Sequence, residues 1–423
     1  MATGISRTKM NGNLLISTAD NGNSTYHPIW QNGNSANRLY FGDNLTVMNE
    51  LLRDETVKGK IRLIYIDPPY ATNSIFQTRT QQDAYTDLLT GKDYVGFMRE
   101  RLLLMHDLLS DDGSIYVHLD SKMIFHIKIL MDDIFGEASF RGMVTRKKCK
   151  AKNITKNSFG NISDYILFYT KSSNAVWNRQ YEQWTDEKIL KEYPFIEEGS
   201  GRRYKRVPIH APGTRNGETG KMWHEMMPPK GKHWQFTPDK LDELDKNGEI
   251  YWSSTGNPRR KVYLDESNGI AVQDIWLDYL DINNQNTQTT GYPTEKNLDM
   301  LKRIILASSN RGDLVMDCFA GSGTTLVAAN ELGRRWIGID IGNEAIKVML
   351  NRFQNGTQTL DEHIGNKRGT AKMPDLFDEN IAAKKSLTLG KIANHLVDNY
   401  TIFANENYSG AEFELPDKYM LAK

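Results

Sequence analysis

Two short runs of this chain combine residue types that could do chemistry together: Asp67-Pro68-Pro69-Tyr70, and Phe319-Ala320-Gly321-Ser322-Gly323-Thr324-Thr325. Apolar stretches at 61–66 and 314–316 precede them. Each run therefore reads as a loop at the C-terminal end of a buried parallel strand, where open α/β sheets place their ligands. In the first loop the two prolines fix φ and keep the preceding residue extended, which makes a rigid bracket for Asp67. Pro69 has no N–H, and the Pro68 carbonyl remains an acceptor. A carboxylate beside a carbonyl can accept both hydrogens of an exocyclic amine. Held out of the ring plane, those hydrogens leave a nucleophilic nitrogen. Tyr70 offers a ring that can stack on a base taken out of its helix. A plain Pro-Pro turn has the same residues, so this loop alone decides nothing.

The second loop is a Gly-x-Gly turn into a helix, which lets backbone N–H groups approach a cofactor closely. No Lys follows Gly323, so it is not a phosphate-cradling Walker loop. Asp340 ends the next apolar run, where a carboxylate can bond the hydroxyls of a ribose. Together the loops point to a transferase holding a nucleoside-like cofactor beside a flat, amine-bearing substrate.

The elements that must position these loops are legible around them. Residues 37–41, 62–67, 114–119 and 165–169 read as strands. A helix is expected from Asn44 through Leu52, and another over 94–109, where Tyr94, Met98, Leu102 and Met105 recur at helical spacing before Asp112-Gly113. A further helix follows Thr294 with Leu298, Leu301, Ile304 and Ile305. The alternation implies an α/β fold with a doubly wound, mostly parallel sheet. Between 174 and 270 periodicity weakens, turn signals such as Pro228-Pro229 crowd in, and basic and aromatic residues are frequent. The expected organisation is a catalytic core over 1–173 and 271–355, an inserted loop-rich recognition domain at 174–270, and an appendage at 356–423.

Lys plus Arg and Asp plus Glu both number 53, which excludes a uniformly basic nucleic-acid binder but not a local basic face. Arg146, Lys147, Lys148 and Lys150 make one cluster, Arg202 and Arg203 a second, Arg259 and Arg260 a third. One basic run is ordinarily a solvated face. Three, interleaved with Tyr204, Trp223, Trp234, Tyr251 and Trp252, point to a polyanion. Cys149 and Cys318 are the only cysteines, which excludes a disulfide scaffold and fits a reducing cytoplasm. His118, His210, His224 and His233 lack paired spacing, so no metal site is expected. No apolar run approaches the roughly 18 residues of a membrane span, and Met1 to Ser24 has no apolar core of a secretory signal.

In their order, these motifs resemble those of the beta-class amino-group DNA methyltransferases of bacterial restriction-modification systems, of the type II and type III Mod kind. In that family the Asp-Pro-Pro-Tyr motif precedes Phe-x-Gly-x-Gly, a circularly permuted order of a Rossmann-like methyltransferase with the recognition domain between. The likeness covers roughly residues 37 to 353 and includes Tyr40-Phe41-Gly42-Asp43-Asn44-Leu45, Asp164 to Lys171, Thr294-Glu295-Lys296 and Trp336-Ile337-Gly338-Ile339-Asp340. It implies that Asp67 and the Pro68 carbonyl, braced by Pro69, hold the amine, with Tyr70 stacked on the flipped base. It implies that Asp317, Phe319, Ala320, Gly321, Ser322, Gly323 and Thr324 line S-adenosylmethionine, with Asp340 on its ribose. Asp43 and Asn44 would lie near its adenine or methionine end, and Thr294 and Lys296 beside its methionine carboxylate. The three basic clusters would contact double-stranded DNA. A second copy of the chain and a restriction-endonuclease subunit are further partners that the family allows. One departure stands out: the family has Pro after that Lys, and Asn297 here should loosen the helix start slightly.

The implied reaction is direct in-line transfer of a methyl group to adenine N6, without a covalent enzyme intermediate. Neither cysteine sits in a Pro-Cys loop, as cytosine-C5 chemistry would require. Asp at the head of the tetrapeptide favours adenine; a cytosine-N4 enzyme is the near alternative. RNA and protein-glutamine methylation are more distant, and a catalytically silent DNA-binding subunit belongs to another class.

Overall fold

A computed structural model of the chain describes residues 26–31, 36–69, 75–77, 83–86, 91–151, 157–281, 288–290, 292, 295–359, 397 and 399–405. It divides into two compact units, one formed by 1–178 with 273–423 and the other by 179–272.

The first unit is built on a sheet of ten strands among the described residues: β1 (His27–Gln31), β2 (Asn37–Phe41), β3 (Ile61–Ile66), β4 (Leu109–Leu119), β5 (Phe140–Lys147), β6 (Ser163–Thr170), β7 (Ile275–Trp276), β8 (Leu314–Asp317), β9 (Arg335–Asp340) and β10 (Tyr400–Ala404). Their order is β1-β10-β2-β9-β8-β3-β4-β6-β5-β7. The run from β10 to β4 is parallel throughout. β6 then pairs antiparallel with both β4 and β5. Helices α1 (Asn44–Leu51), α2 (Gly91–Leu108), α3 (Ile124–Phe135), α4 (Leu298–Ser308), α5 (Thr324–Glu331) and α6 (Asn343–Asn355) connect or cover the strands. The central strands are apolar on both faces, as a sheet covered on both sides demands: Ile61, Leu63, Ile64, Ile66, Val315, Met316, Ile337 and Ile339 are all buried. On α2, Tyr94, Met98, Leu102 and Met105 form the buried stripe that their spacing predicts.

β3 and β8 are neighbours in register, with Leu314 opposite Ile61 and Met316 opposite Ile64. From β3 the sheet continues one way to β4, and from β8 the other way to β9. The crevice above their C-terminal ends is thus a topological switch point, the ligand position of open α/β sheets. It also brings together two motifs about 250 residues apart in the chain.

The fold departs from expectation in several places. The strand expected to start at 114 runs from Leu109. Within the stretch assigned to an appendage, Tyr400–Ala404 is a strand of the central sheet, paired with β2 and β1. Asn297 does not loosen α4: its side chain accepts from the N–H groups of Asp299 and Met300 and caps the helix. No helix among the described residues is long and apolar enough to cross a membrane.

The second unit carries an antiparallel sheet of Phe195–Ile196, Arg203–Pro208, Pro258–Tyr263 and Ile250–Trp252 in that order. A helix at Pro238–Lys246 starts with Pro in its first turn. Leu241 and Leu244 of that helix bury against Ile209, Trp223, Trp234 and Ile250 in a small core of its own.

Candidate active site

At the C-terminal edge of β3, β8 and β9 lies a cavity of about 200 Å³. Asp67, Pro68 and Pro69 line one part of it, and Phe319, Ala320, Gly321, Ser322 and Thr324 another. Asn44, Lys296, Asp317 and Asp340 complete the set of expected residues on its wall. Asp43 and Gly323 serve the helices just behind, as caps of α1 and α5. Tyr70 and Thr294 lie outside the described residues.

The glycine loop is held by carboxylates from two strand ends. Asp317 Oδ1 accepts from the Phe319 N–H at 3.0 Å, and its Oδ2 accepts from the Thr325 hydroxyl at 2.5 Å. Asp340 Oδ2 accepts from the Gly321 N–H at 2.7 Å, and its Oδ1 from the Gly342 N–H at 2.8 Å. A carboxylate has about four lone-pair positions, so Asp340 can anchor the loop and still receive a hydroxyl. Gly321 and Gly323 adopt φ of +52° and +72°, a left-handed backbone that L side chains resist. A Cβ at Gly323 would also stand 2.7 Å from Met349 Cγ. Gly323→Ala is expected to destabilise the fold by about 1–3 kcal/mol from strain and crowding and to weaken cofactor binding, checked by urea unfolding and calorimetry.

Burial pushes the Asp317 carboxyl up to about 7, against the hydrogen bonds from Thr325 and Phe319 that favour its charged form; Asp67 and Asp340 add like charge. Burial likewise raises Asp340 to about 6. The unfolded chain releases these protons near the ordinary 3.8 while the folded chain keeps them, so stability falls as pH rises from about 4 to about 7. Thermal unfolding across that window should show this slope, and Asp317→Asn should flatten it.

Side chains absent from the sequence reading complete the site. Arg101, buried on α2, donates Nε to Asn44 Oδ1 at 2.6 Å and Nη2 to Asp43 at 3.1 Å, with its guanidinium 3.5 Å above the Phe97 ring. Asn44 in turn donates to the Cys318 carbonyl at 2.8 Å, tying the start of α1 to the glycine loop. Arg352, buried on α6, pairs with Glu295 at 3.0 Å and donates to Thr324 Oγ1 at 2.8 Å. Both arginines stand within buried helix faces, beside Met98 and Leu102 or Met349 and Phe353. A lone cation inside such a stripe was the available signal. The Lys296 ammonium, expected at a methionine carboxylate, lies 2.7 Å from Asp67 Oδ2.

One expected DNA contact is corrected. Arg146 is fully buried, not surface-facing. Its guanidinium forks onto Asp164 at 2.8 and 2.7 Å and also pairs with Asp281. His118 joins the cluster, with Nε2 2.9 Å from Asp164 and Nδ1 bonded to the Tyr65 hydroxyl at 2.8 Å. Burial pushes the Asp164 carboxyl up, but His118 and Arg146 outweigh it and hold it well below the usual carboxylate range. Beyond β5, Lys148 is half-buried and Lys150 exposed, with Lys147 half-buried at the strand's end.

In the second unit, Arg202 pairs with Asp265 and Glu266 and lies over the Tyr263 ring, while Arg203 donates to the Tyr193 carbonyl. Arg259 is exposed opposite Pro208, and Arg260 stands opposite Val207. Arg206, not among the expected contacts, is sandwiched 3.6 Å from the Phe195 ring and 3.4 Å from Tyr251.

A family model described as DNA methylase, of the N6/N4 methyltransferase type, matches residues 61–351. The chain is 49% identical over 329 residues to the type II methyltransferase M.EcaI of Enterobacter cloacae, covering 78% of this chain and 72% of that protein. It is 28% identical to the StyLTI Mod subunit, a type III restriction-modification component of Salmonella typhimurium, covering 86% of this chain and 61% of that one. It is 25% identical to the DNA adenine methyltransferase YhdJ of Escherichia coli, covering 81% and 91%. Among solved structures, the M1.HpyAVI–SAM complex matches with a TM-score of 0.41 at 15% identity, covering 74% of this chain and 98% of that one. Those last values are too low to bear on function.

Proposed function

The chain belongs to the N6/N4 DNA methylase family, whose model spans residues 61–351, and on that premise we propose that it transfers a methyl group from S-adenosylmethionine to the exocyclic N6 of a flipped adenine in duplex DNA. The observation that carries the reading is the shared cavity, with Asp67 and Pro68 on its wall together with the glycine loop and Asp340. The residues fit the methyl donor: a left-handed glycine turn leads into a helix N-terminus, a carboxylate stands at the next strand end, and Phe97 and Phe319 give apolar wall. When bound, S-adenosylmethionine supplies an electrophilic methyl: the amine lone pair forms the N–C bond, the C–S electrons remain on sulfur, and S-adenosylhomocysteine leaves.

The chain's own part is orientation. Asp67 and the Pro68 carbonyl accept the two amine hydrogens and hold the lone pair toward the methyl group. The surplus proton passes to Asp67 or to water. Such positioning and preorganised acceptors supply most of the acceleration when no covalent intermediate forms. Asp at the head of the tetrapeptide favours adenine, and one relative is itself named a DNA adenine methyltransferase. Cytosine-N4 methylation is the second reading, because it needs the same two acceptors. The basic, aromatic sheet of the second unit supports DNA recognition there, and the Mod subunit among the relatives supports a restriction subunit as partner.

Labelled methyl transfer to unmethylated DNA, followed by digestion to nucleosides, tests this. Label in N6-methyladenine is expected. Label in N4-methylcytosine would overturn the base, and no label together with no cofactor binding would overturn the activity.

A further inference from the structure

The cavity contains an ion pair that the positioning scheme above does not use. Lys296 Nζ lies 2.7 Å from Asp67 Oδ2, with both side chains largely shielded from solvent. Asp67 also shares the cavity with the carboxylates of Asp317 and Asp340. A charge-assisted contact at one oxygen restricts how such a carboxylate can rotate. Lys296 is itself fixed. Its neighbour Glu295 is buried, accepts from the Thr290 N–H at 2.8 Å and pairs with Arg352 at 3.0 Å. Arg352 donates in addition to Thr324 Oγ1 at 2.8 Å and to the Ser322 carbonyl at 3.3 Å, both in the glycine loop. Polar contacts thus run from the glycine loop through Arg352 to Glu295, and the peptide bond from Glu295 to Lys296 carries the path on to the ion pair with Asp67.

We infer that Lys296 is a positioning residue for Asp67, braced through Glu295 and Arg352 against the glycine loop, so that the loop carrying the methyl donor also sets the carboxylate that holds the target amine. The inference rests on the proposed role of Asp67 in amine binding. The ammonium pins one carboxylate oxygen, which fixes the plane in which the carboxylate meets the amine. The brace gives the two halves of the reaction a common mechanical reference, although their loops lie on different strands.

The test uses the full chain with Lys296→Gln, Lys296→Arg and Asp67→Asn, each checked for wild-type thermal unfolding. Single-turnover methyl transfer is followed at saturating cofactor, and cofactor affinity is measured separately by calorimetry. Lys296→Gln should slow transfer by about 100-fold, the scale of a roughly 1 Å misplacement, with cofactor affinity changed by less than about threefold. Lys296→Arg should recover most of the rate. In an Asp67→Asn background, Lys296→Gln should cost little more, because residues acting as a unit are not additive. A loss residing wholly in calorimetric affinity would assign Lys296 to the cofactor instead. A full additional loss on top of Asp67→Asn would show that it acts elsewhere. Either result overturns the brace. If Asp67→Ala itself keeps wild-type transfer, the amine-holding role fails, and the inference with it; if Asp67→Ala loses transfer while Lys296→Gln keeps it, the brace alone fails.

Discussion

Asp67→Ala is expected to slow methyl transfer by about 10²–10³-fold at saturating cofactor and DNA, the usual cost of deleting one preorganised polar partner. The reasoning starts from the amine. In an aminopurine the exocyclic nitrogen is a poor nucleophile because its lone pair is spread into the ring. Two acceptors that hold its hydrogens out of plane restore that lone pair, and in the proposed function Asp67 and the Pro68 carbonyl, from residues that line the cavity, are that pair. Alanine removes one acceptor and leaves the diproline bracket intact, so binding of the methyl donor should change by only a few-fold by calorimetry. Asp67→Asn keeps an acceptor oxygen and loses the charge, so its loss should be smaller. Equal losses in both variants would assign the effect to charge. Full activity in Asp67→Ala would remove the residue from the reaction.

The parts of this site that were legible in the sequence are those whose meaning is local. A strand, an acid and a stiff turn at positions 61–69 declare themselves within nine residues, and the glycine loop at 319–325 does so within seven. The switch-point sheet then brings the two runs together at one edge. What stayed hidden depends on partners distant in sequence. Arg101 reaches Asp43 and Asn44 from another helix, and Arg352 meets Glu295 57 residues away. The strand Tyr400–Ala404 lies in a polar tail and earns its place only by pairing with β2 and β1. Asn297 stands where a proline would fix φ, but a helix start can be stabilised by a side-chain cap as well. Arg146 shows the failure most sharply. Its neighbours Lys147, Lys148 and Lys150 made it look like one charge of a basic surface, but strand alternation turns it to the opposite face from Lys147.

That reversal leads to the second large effect, expected for Arg146→Ala. The variant should lose stability rather than a DNA contact. Arg146 supplies two hydrogen bonds to the buried Asp164 and a third to Asp281. Removing it leaves Asp164, only 3% exposed, with the His118 ring at 2.9 Å in place of the guanidinium fork. Breaking one side of a buried pair typically costs about 3–5 kcal/mol, a large part of the roughly 5–15 kcal/mol that a folded protein has in hand. The urea midpoint should therefore fall markedly. The cluster reaches the cavity through His118 and the Tyr65 hydroxyl, so activity should be lost in step with folding. Lys150→Ala is the control: it is exposed beyond the strand and outside the buried cluster, so its urea midpoint should fall far less than that of Arg146→Ala. If Lys150 meets a phosphate, its loss should also reduce the salt dependence of DNA binding by about one unit of slope. An Arg146→Ala protein as stable as the parent, but with that reduced slope, would restore Arg146 to the DNA surface and overturn its buried role.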